Sequence, residues 1–264
     1  MRVYCSDLVV NFKEKLLNTW KLPEYDKESL QHRKEPVVFF GMYLDHDYKA
    51  LMAHEGKSYV FWCGSDLLGL LREPRLQNWL SSVNTKHWVE NEVEANDLEK
   101  LGYEAHIGKS FLDNIEDFFI CYKKAEKPNV YLAYHEDREE MYGINEVIAI
   151  APKVNVTFHI FGGIKKEEKN IIWHGKVEES KFNEMIKNYQ CGLRPVDHDG
   201  FSEITVKSLL MGQYPISKIN YKHIRSYNFT GQLIKSLRNL RFKEYPNLEA
   251  RKYYLKELNK FPWL

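Results

Sequence analysis

The chain has 264 residues, 44 % of them apolar, with 38 basic and 37 acidic side chains. That length holds one large domain or two compact ones with their own cores. The even charge, with no block of five or more like charges, argues against a tail or face built for nucleic acid or anionic lipid. Apolar runs such as Val37 to Tyr43 and Ser58 to Cys63 are far shorter than the roughly 20 residues that span a bilayer.

Met1 leads almost directly into the strand-like Val3-Tyr4-Cys5 with no secretory leader, which predicts a cytoplasmic protein. The four cysteines, Cys5, Cys63, Cys121 and Cys191, form no CxxC pair and read as buried thiols of a reduced compartment. In the first half, strands are expected at Arg2 to Cys5, Pro36 to Tyr43, Ser58 to Cys63, Thr85 to Val89 and Tyr103 to Ile107, with helices at Asp45 to His54, Arg75 to Ser82 and Val93 to Leu101. The polar, aperiodic stretch Lys123 to Pro128 reads as a linker, dividing the chain into domains 1–124 and 125–264.

Beyond it come strand Asn129 to Tyr134, helix Arg138 to Ala151, strands Val156 to Phe161 and Ile171 to His174, helix Ser180 to Asn188, strand Cys191 to Arg194, helix Ser202 to Met211 and strand Tyr214 to Ser217. The tail from Tyr221 to Leu264, rich in Lys, Arg, Leu and Tyr, reads as two further helices packing back across the domains. Strands alternating with helices predict an α/β protein of two Rossmann-like, doubly wound domains, with a ligand cleft at the carboxyl ends of their sheets.

The segment Asp199-Gly200-Phe201-Ser202-Glu203-Ile204-Thr205 lies between a strand ending near Pro195 and a helix ending at Gly212. Gly200 lets backbone approach a ligand closely. Ser202 and Thr205 fall at the cap and first turn of a helix whose free N–H groups attract anions. The alternative is that Asp199 or Ser202 does no more than cap that helix.

The surrounding order resembles the carboxyl-terminal half of the family 4 type of retaining, nucleotide-sugar-dependent GT-B glycosyltransferases. The likeness runs through Ile172-Trp173-His174-Gly175-Lys176-Val177, the helix from Lys181 to Asn188, Leu193-Arg194-Pro195, Asp199-Gly200-Phe201-Ser202 and Leu209-Leu210-Met211-Gly212, and covers roughly residues 129 to 217. It implies a metal-independent hexosyltransferase of glycan biosynthesis that takes a nucleotide-diphosphate sugar as donor substrate and uses no cofactor. The base would lie near Gly175, the diphosphate at the backbone of Gly200, Phe201 and Ser202, and the donor sugar at Asp199. The acceptor would be a glycan, a lipid-linked or a protein hydroxyl, so peripheral contact with a membrane stays open, as does a homo-oligomer.

Two departures from that family stand out. Its paired glutamates become Asp199 and Lys207, and an ammonium cannot accept from a ribose diol. Its Arg-Lys pair is replaced by Met141 and Tyr142 ahead of Gly143, which leaves Arg138, Lys207 or Arg194 to offset charge on a leaving diphosphate. These departures favour the alternative function, a catalytically degenerate protein that binds a nucleotide sugar or glycan as the partner of an active enzyme. In the first half, His46 and Asp66 follow apolar strands and are candidates for catalysis or acceptor binding, with helix capping as the alternative. His87 is a weaker candidate. His54, His106 and His174 lack a second ligand at metal-binding spacing, so no metal is expected.

Overall fold

The computed structural model describes residues 1–135, 138–164 and 167–264. The chain forms two compact units: the first comprises Met1–Asn114, His198–Phe201 and Glu257–Leu264, the second Ile115–Asp197 and Ser202–Lys256. Each is built on one parallel sheet.

In the first unit the strands β1 (Arg2–Cys5), β2 (Val37–Phe40), β3 (Ser58–Phe61), β4 (Lys86–Val89) and β5 (Ala105–Ile107) lie side by side in sequence order. Both faces are covered, which is why β2 and β3 are buried at every residue instead of alternating. Helices α2 (Asp45–Met52), α3 (Ser65–Arg72), α4 (Pro74–Ser81) and α5 (Glu92–Lys100) supply one covering, with Val37, Phe39, Val60 and Trp62 beneath Leu51, Leu67, Leu70, Leu80 and Leu98. Helix α1 (Lys13–Trp20) and the terminal segment ending in Phe261 and Trp263 supply the other. There the Trp20 ring centroid stands 5.5 Å from that of Phe261 and 5.6 Å from that of Trp263, so the tail closes an aromatic core. The sequence pattern did not reveal α1, whose buried stripe is only Leu16 and Trp20, or α3, whose run is interrupted by Gly69.

The second unit has β6 (Asn129–Ala133), β7 (Thr157–Phe161), β8 (Ile171–Gly175), β9 (Cys191–Arg194), β10 (Ile216–Ser217) and β11 (Arg225–Ser226) in the spatial order β11-β10-β9-β6-β7-β8. The strand-order reversal of a doubly wound sheet lies here, between β6 and β9. One face buries Val130, Leu132, Phe158 and Ile160 under α6 (Ile144–Ile150) and α9 (Thr230–Asn239). The other carries α7 (Glu179–Ile186) and α8 (Glu203–Leu210), and α10 (Leu248–Glu257) follows α9. The helix expected from Arg138 begins only at Ile144. Gly143, at φ 63°, is its N-cap, and the residues before it form turns closed by Tyr142 N–H to Arg138 C=O and Ile144 N–H to Glu139 C=O. Among the described residues no helix is long and apolar enough to cross a membrane.

A buried carboxylate joins the loops that leave β1 and β2. Asp47, in the first turn of α2, accepts from Tyr4 Oη at 2.6 Å, Ser6 Oγ at 2.7 Å and the N–H groups of Tyr43 at 2.9 Å and Leu44 at 2.8 Å. Replacing it with alanine orphans four donors in the interior. Asp47→Ala is expected to destabilise the protein by about 3 kcal/mol, and Asp47→Asn by less. Chemical denaturation followed by tryptophan fluorescence checks this, and a loss below about 1 kcal/mol would contradict it.

Candidate functional site

Ligands of open α/β sheets lie outside the carboxyl ends of the strands, where strand order reverses. In the second unit that place is set by the segments that follow β6 and β9. A side chain added at Gly143 would stand 2.7 Å from the Pro195 carbonyl, so only glycine lets the chain entering α6 lie against the turn that leaves β9. Beside it the Arg194 guanidinium sits 4.6 Å from the Tyr142 ring centroid. Arg138 is exposed, one turn before Tyr142. Gly175 ends β8 at φ 68°, and its carbonyl accepts the Gly162 N–H at 2.8 Å.

Helix α8 packs on β9 and is buried from Ile204 through Leu210, Thr205 included. Ser202 occupies its N-cap, but the hydroxyl makes no capping bond. Lys207 is only 1 % exposed. Its Nζ lies 3.2 Å from Glu203 and 3.3 Å from Glu179, with the rings of Phe118 and Phe182 at 5.5 and 5.7 Å. An ammonium survives at such depth only when carboxylates and π-faces replace its water. Both carboxylates come from first turns, Glu203 one turn back along α8 and Glu179 from α7.

The turn from His198 to Phe201 belongs to the first unit, where it rests on residues that sequence reasoning missed. Phe201 N–H donates to Glu90 Oε2 at 2.7 Å, while Glu90 Oε1 accepts the N–H of Ser110 at 2.8 Å and its hydroxyl at 2.6 Å. Asn91 Nδ2 donates to the Asp199 carbonyl at 2.7 Å, and its Oδ1 caps α5. His198 Nε2 lies 3.0 Å from Asp97 Oδ2. A side chain on Gly200 would meet Glu90 Oε2 at 2.3 Å. Glu90 ends no recognisable motif, and its only mark in the sequence is an acidic residue directly after an expected strand.

The other first-half candidates are placed as follows. Asp66 is buried and accepts the N–H groups of Met42 at 3.0 Å, Cys63 at 3.0 Å and Leu67 at 2.9 Å, which ties the loops after β2 and β3. His46 Nε2 stands 3.0 Å from Asp7 and 3.6 Å from Asp47. His87 is buried and accepts from the Trp62 indole at 3.2 Å, and desolvation pushes its pKa down to about 4. His174 has a partner after all: its Nε2 is 3.0 Å from His159 Nδ1, a cross-strand contact between β7 and β8.

No protein-family model matches the chain, and a search of curated proteins finds no match. Solved structures do match. The apo form of the lipopolysaccharide outer core galactosyltransferase WaaB aligns at a TM-score of 0.64 and 11 % identity, over 97 % of this chain and 79 % of that one. The fold is that of GT-B glycosyltransferases. An α,α-trehalose-phosphate synthase (UDP-forming) from Burkholderia xenovorans shares this GT-B fold at a TM-score of 0.62 and 10 % identity, over 93 % of this chain and 76 % of that one. WaaG, a glycosyltransferase involved in lipopolysaccharide biosynthesis, does so at 0.56 and 10 %, over 98 % and 96 %.

Burial raises the Asp66 carboxyl to about 6 and that of Glu90 to about 7, the latter against three hydrogen bonds that favour its ionised form. Glu94 moves in the same direction for the same reason. Groups held above their ordinary values stabilise the fold as neutral acids. That stabilisation is full below the unfolded values of about 4 to 4.5 and is lost as pH rises through the folded ones. The unfolding free energy, followed in thermal melts, is therefore expected to fall between about pH 4.5 and 7, at up to about 1.4 kcal/mol per pH unit for each group. Glu90→Gln should flatten that fall, and an unchanged slope would contradict the assignment. Gly200→Ala, which presses a methyl against a carboxylate already held by Ser110, should cost about 1–3 kcal/mol in the same melts.

Proposed function

We propose that this GT-B chain moves a hexosyl group from a nucleotide-diphosphate sugar to a hydroxyl acceptor, with retained configuration, no metal and no cofactor, in the manner of the family 4 type. The observation that carries this reading is the position of α8. Its N-terminus follows β9, which borders the strand-order reversal, and its cap hydroxyl makes no bond to the first turn. Free N–H groups at such an end suit a diphosphate.

In this reading the backbone of Gly200 and Ser202 and the first turn up to Thr205 receive the diphosphate. Phe201 N–H is engaged by Glu90 in the structure, so its share in binding requires that bond to open. Asp199 orients the donor sugar, and the base lies toward Gly175. Charge on the departing diphosphate is offset by Arg138 and Arg194 in preference to Lys207, whose ammonium already serves Glu203 and Glu179. On the acceptor side, His46 is the group we propose to face the acceptor hydroxyl. Asp66 acts through the two loops that it ties together. A glycan, a lipid-linked or a protein hydroxyl would serve as acceptor.

A second reading, a nucleotide-sugar or glycan binder that partners an active enzyme, is favoured by the internal pairing of Lys207. The two separate in one assay. Nucleoside diphosphate release measured against a panel of nucleotide sugars should be slow but present for a transferase, and Asp199→Ala should lower it at least about 100-fold. Calorimetric binding of a donor without release would establish the binder. Full turnover by Asp199→Ala would remove the site assignment altogether.

A further inference from the structure

The connection from α9 to α10 in the second unit carries a surface for which glycosyl transfer has no use. After α9 a short turn, Leu240–Phe242, leads through residues 243–247 into α10. Its backbone is held from beneath. Tyr122 Oη donates to the Lys243 carbonyl at 2.8 Å, Tyr214 Oη to the Tyr245 carbonyl at 2.7 Å, and Asn247 N–H to the Gly212 carbonyl at 2.8 Å, while Leu240 is buried.

With the main chain fixed inward, the large apolar side chains point out. Phe242, Tyr245 and Leu248 are 64, 75 and 52 % exposed. Three such side chains, from the end of the turn to the first residue of α10, form a patch along one pinned connection, unlike the isolated exposed leucines that any surface carries. Because the carbonyls of this loop are already bonded, the chain cannot roll over to bury them without breaking those bonds.

The stretch that carries the patch is rich in positive charge. Between Lys235 and Lys256 the sequence has seven basic residues (Lys235, Arg238, Arg241, Lys243, Arg251, Lys252 and Lys256) and two acidic ones, Glu244 and Glu249. Both acids are occupied, Glu244 by Lys124 at 3.2 Å and Glu249 by His223 at 3.3 Å. Among the described residues Arg238, Arg241 and Lys243 have no carboxylate partner. The Arg241 guanidinium lies 4.5 Å from the Phe242 ring centroid and Lys243 Nζ 4.8 Å from that of Tyr214.

We propose that this surface docks the protein on an anionic lipid bilayer. Phe242, Tyr245 and Leu248 enter the boundary between headgroups and acyl chains, and Arg238, Arg241 and Lys243 meet the lipid phosphates. Charge decides against a second copy as the occupant, because two such patches facing each other would bring like charges together. The even charge of the whole chain does not oppose this, since exposed charges more than about 10 Å apart are screened from one another at moderate salt.

Co-sedimentation with vesicles of phosphatidylcholine containing about 30 % phosphatidylserine, against phosphatidylcholine alone, tests it directly. The full chain is expected to bind the anionic vesicles at least about tenfold more tightly, and to release them in high salt. The triple variant F242S/Y245S/L248S and the charge variant R241E/K243E should each lose at least about tenfold in vesicle affinity. Both should keep the circular dichroism and melting of the parent, because the altered side chains are outside the core. Donor turnover or binding should also be unchanged, which separates this surface from the proposed reaction. Equal binding to neutral and anionic vesicles, or parental affinity in both variants, would overturn the proposal. So would self-association in sedimentation velocity that the triple variant abolishes without any vesicle binding.

Discussion

Buried carboxylates that collect backbone N–H groups hold the carboxyl end of the first sheet in shape. Asp47, Asp66 and Glu90 follow β2, β3 and β4 in turn, and each accepts from at least two main-chain donors. Loops leaving parallel strands have no ladder to satisfy their N–H groups, and a carboxylate with several acceptor sites can serve several of them at once. The cost is desolvation, visible in the raised values of Asp66 and Glu90, and the donors gathered around each acid offset only part of it. The position of the Asp199 turn depends on the last of these acids.

The second sheet solves a different problem on the face under α7 and α8. In place of an aliphatic layer it stacks Tyr189, His159, His174 and Phe161, with His159 to Tyr189 centroids at 4.2 Å and Phe161 to His174 at 4.5 Å. Burial, with the neighbouring imidazole, pushes the His159 pKa down to about 4. Lys207 completes the polar character of the face. Its charge is balanced locally, which makes it a built part of the unit more than a loose cation awaiting phosphate.

Much of the fold was legible because two covered faces impose long apolar runs. Val37 to Phe40 and Ser58 to Phe61 could hardly be anything but central strands. The α8 segment was equally readable, since Gly200, Ser202 and the apolar run to Leu210 follow from cap chemistry and burial. Other features left weaker marks. Helix α1 buries only two residues, α3 is interrupted by a glycine, and α6 starts late because Gly143 takes a left-handed conformation against Pro195. Net charge was a poor guide in the same way. A total near zero conceals the basic stretch around Phe242 because summation ignores where charges lie.

The sequence by itself determined the α/β class and most strands, since periodicity, glycine positions and cap residues act over a few neighbours; for the ligand it offered the expectation of a site along His174 to Gly212. Only the tertiary structure decided the partners. Glu90 meets Phe201 across 111 residues, Asn91 meets Asp199 across 108, and Lys207 meets Glu179 across 28. The reason is physical. A buried charge is defined by whatever replaces its water, and those groups arrive from distant parts of the chain through packing that no local pattern encodes.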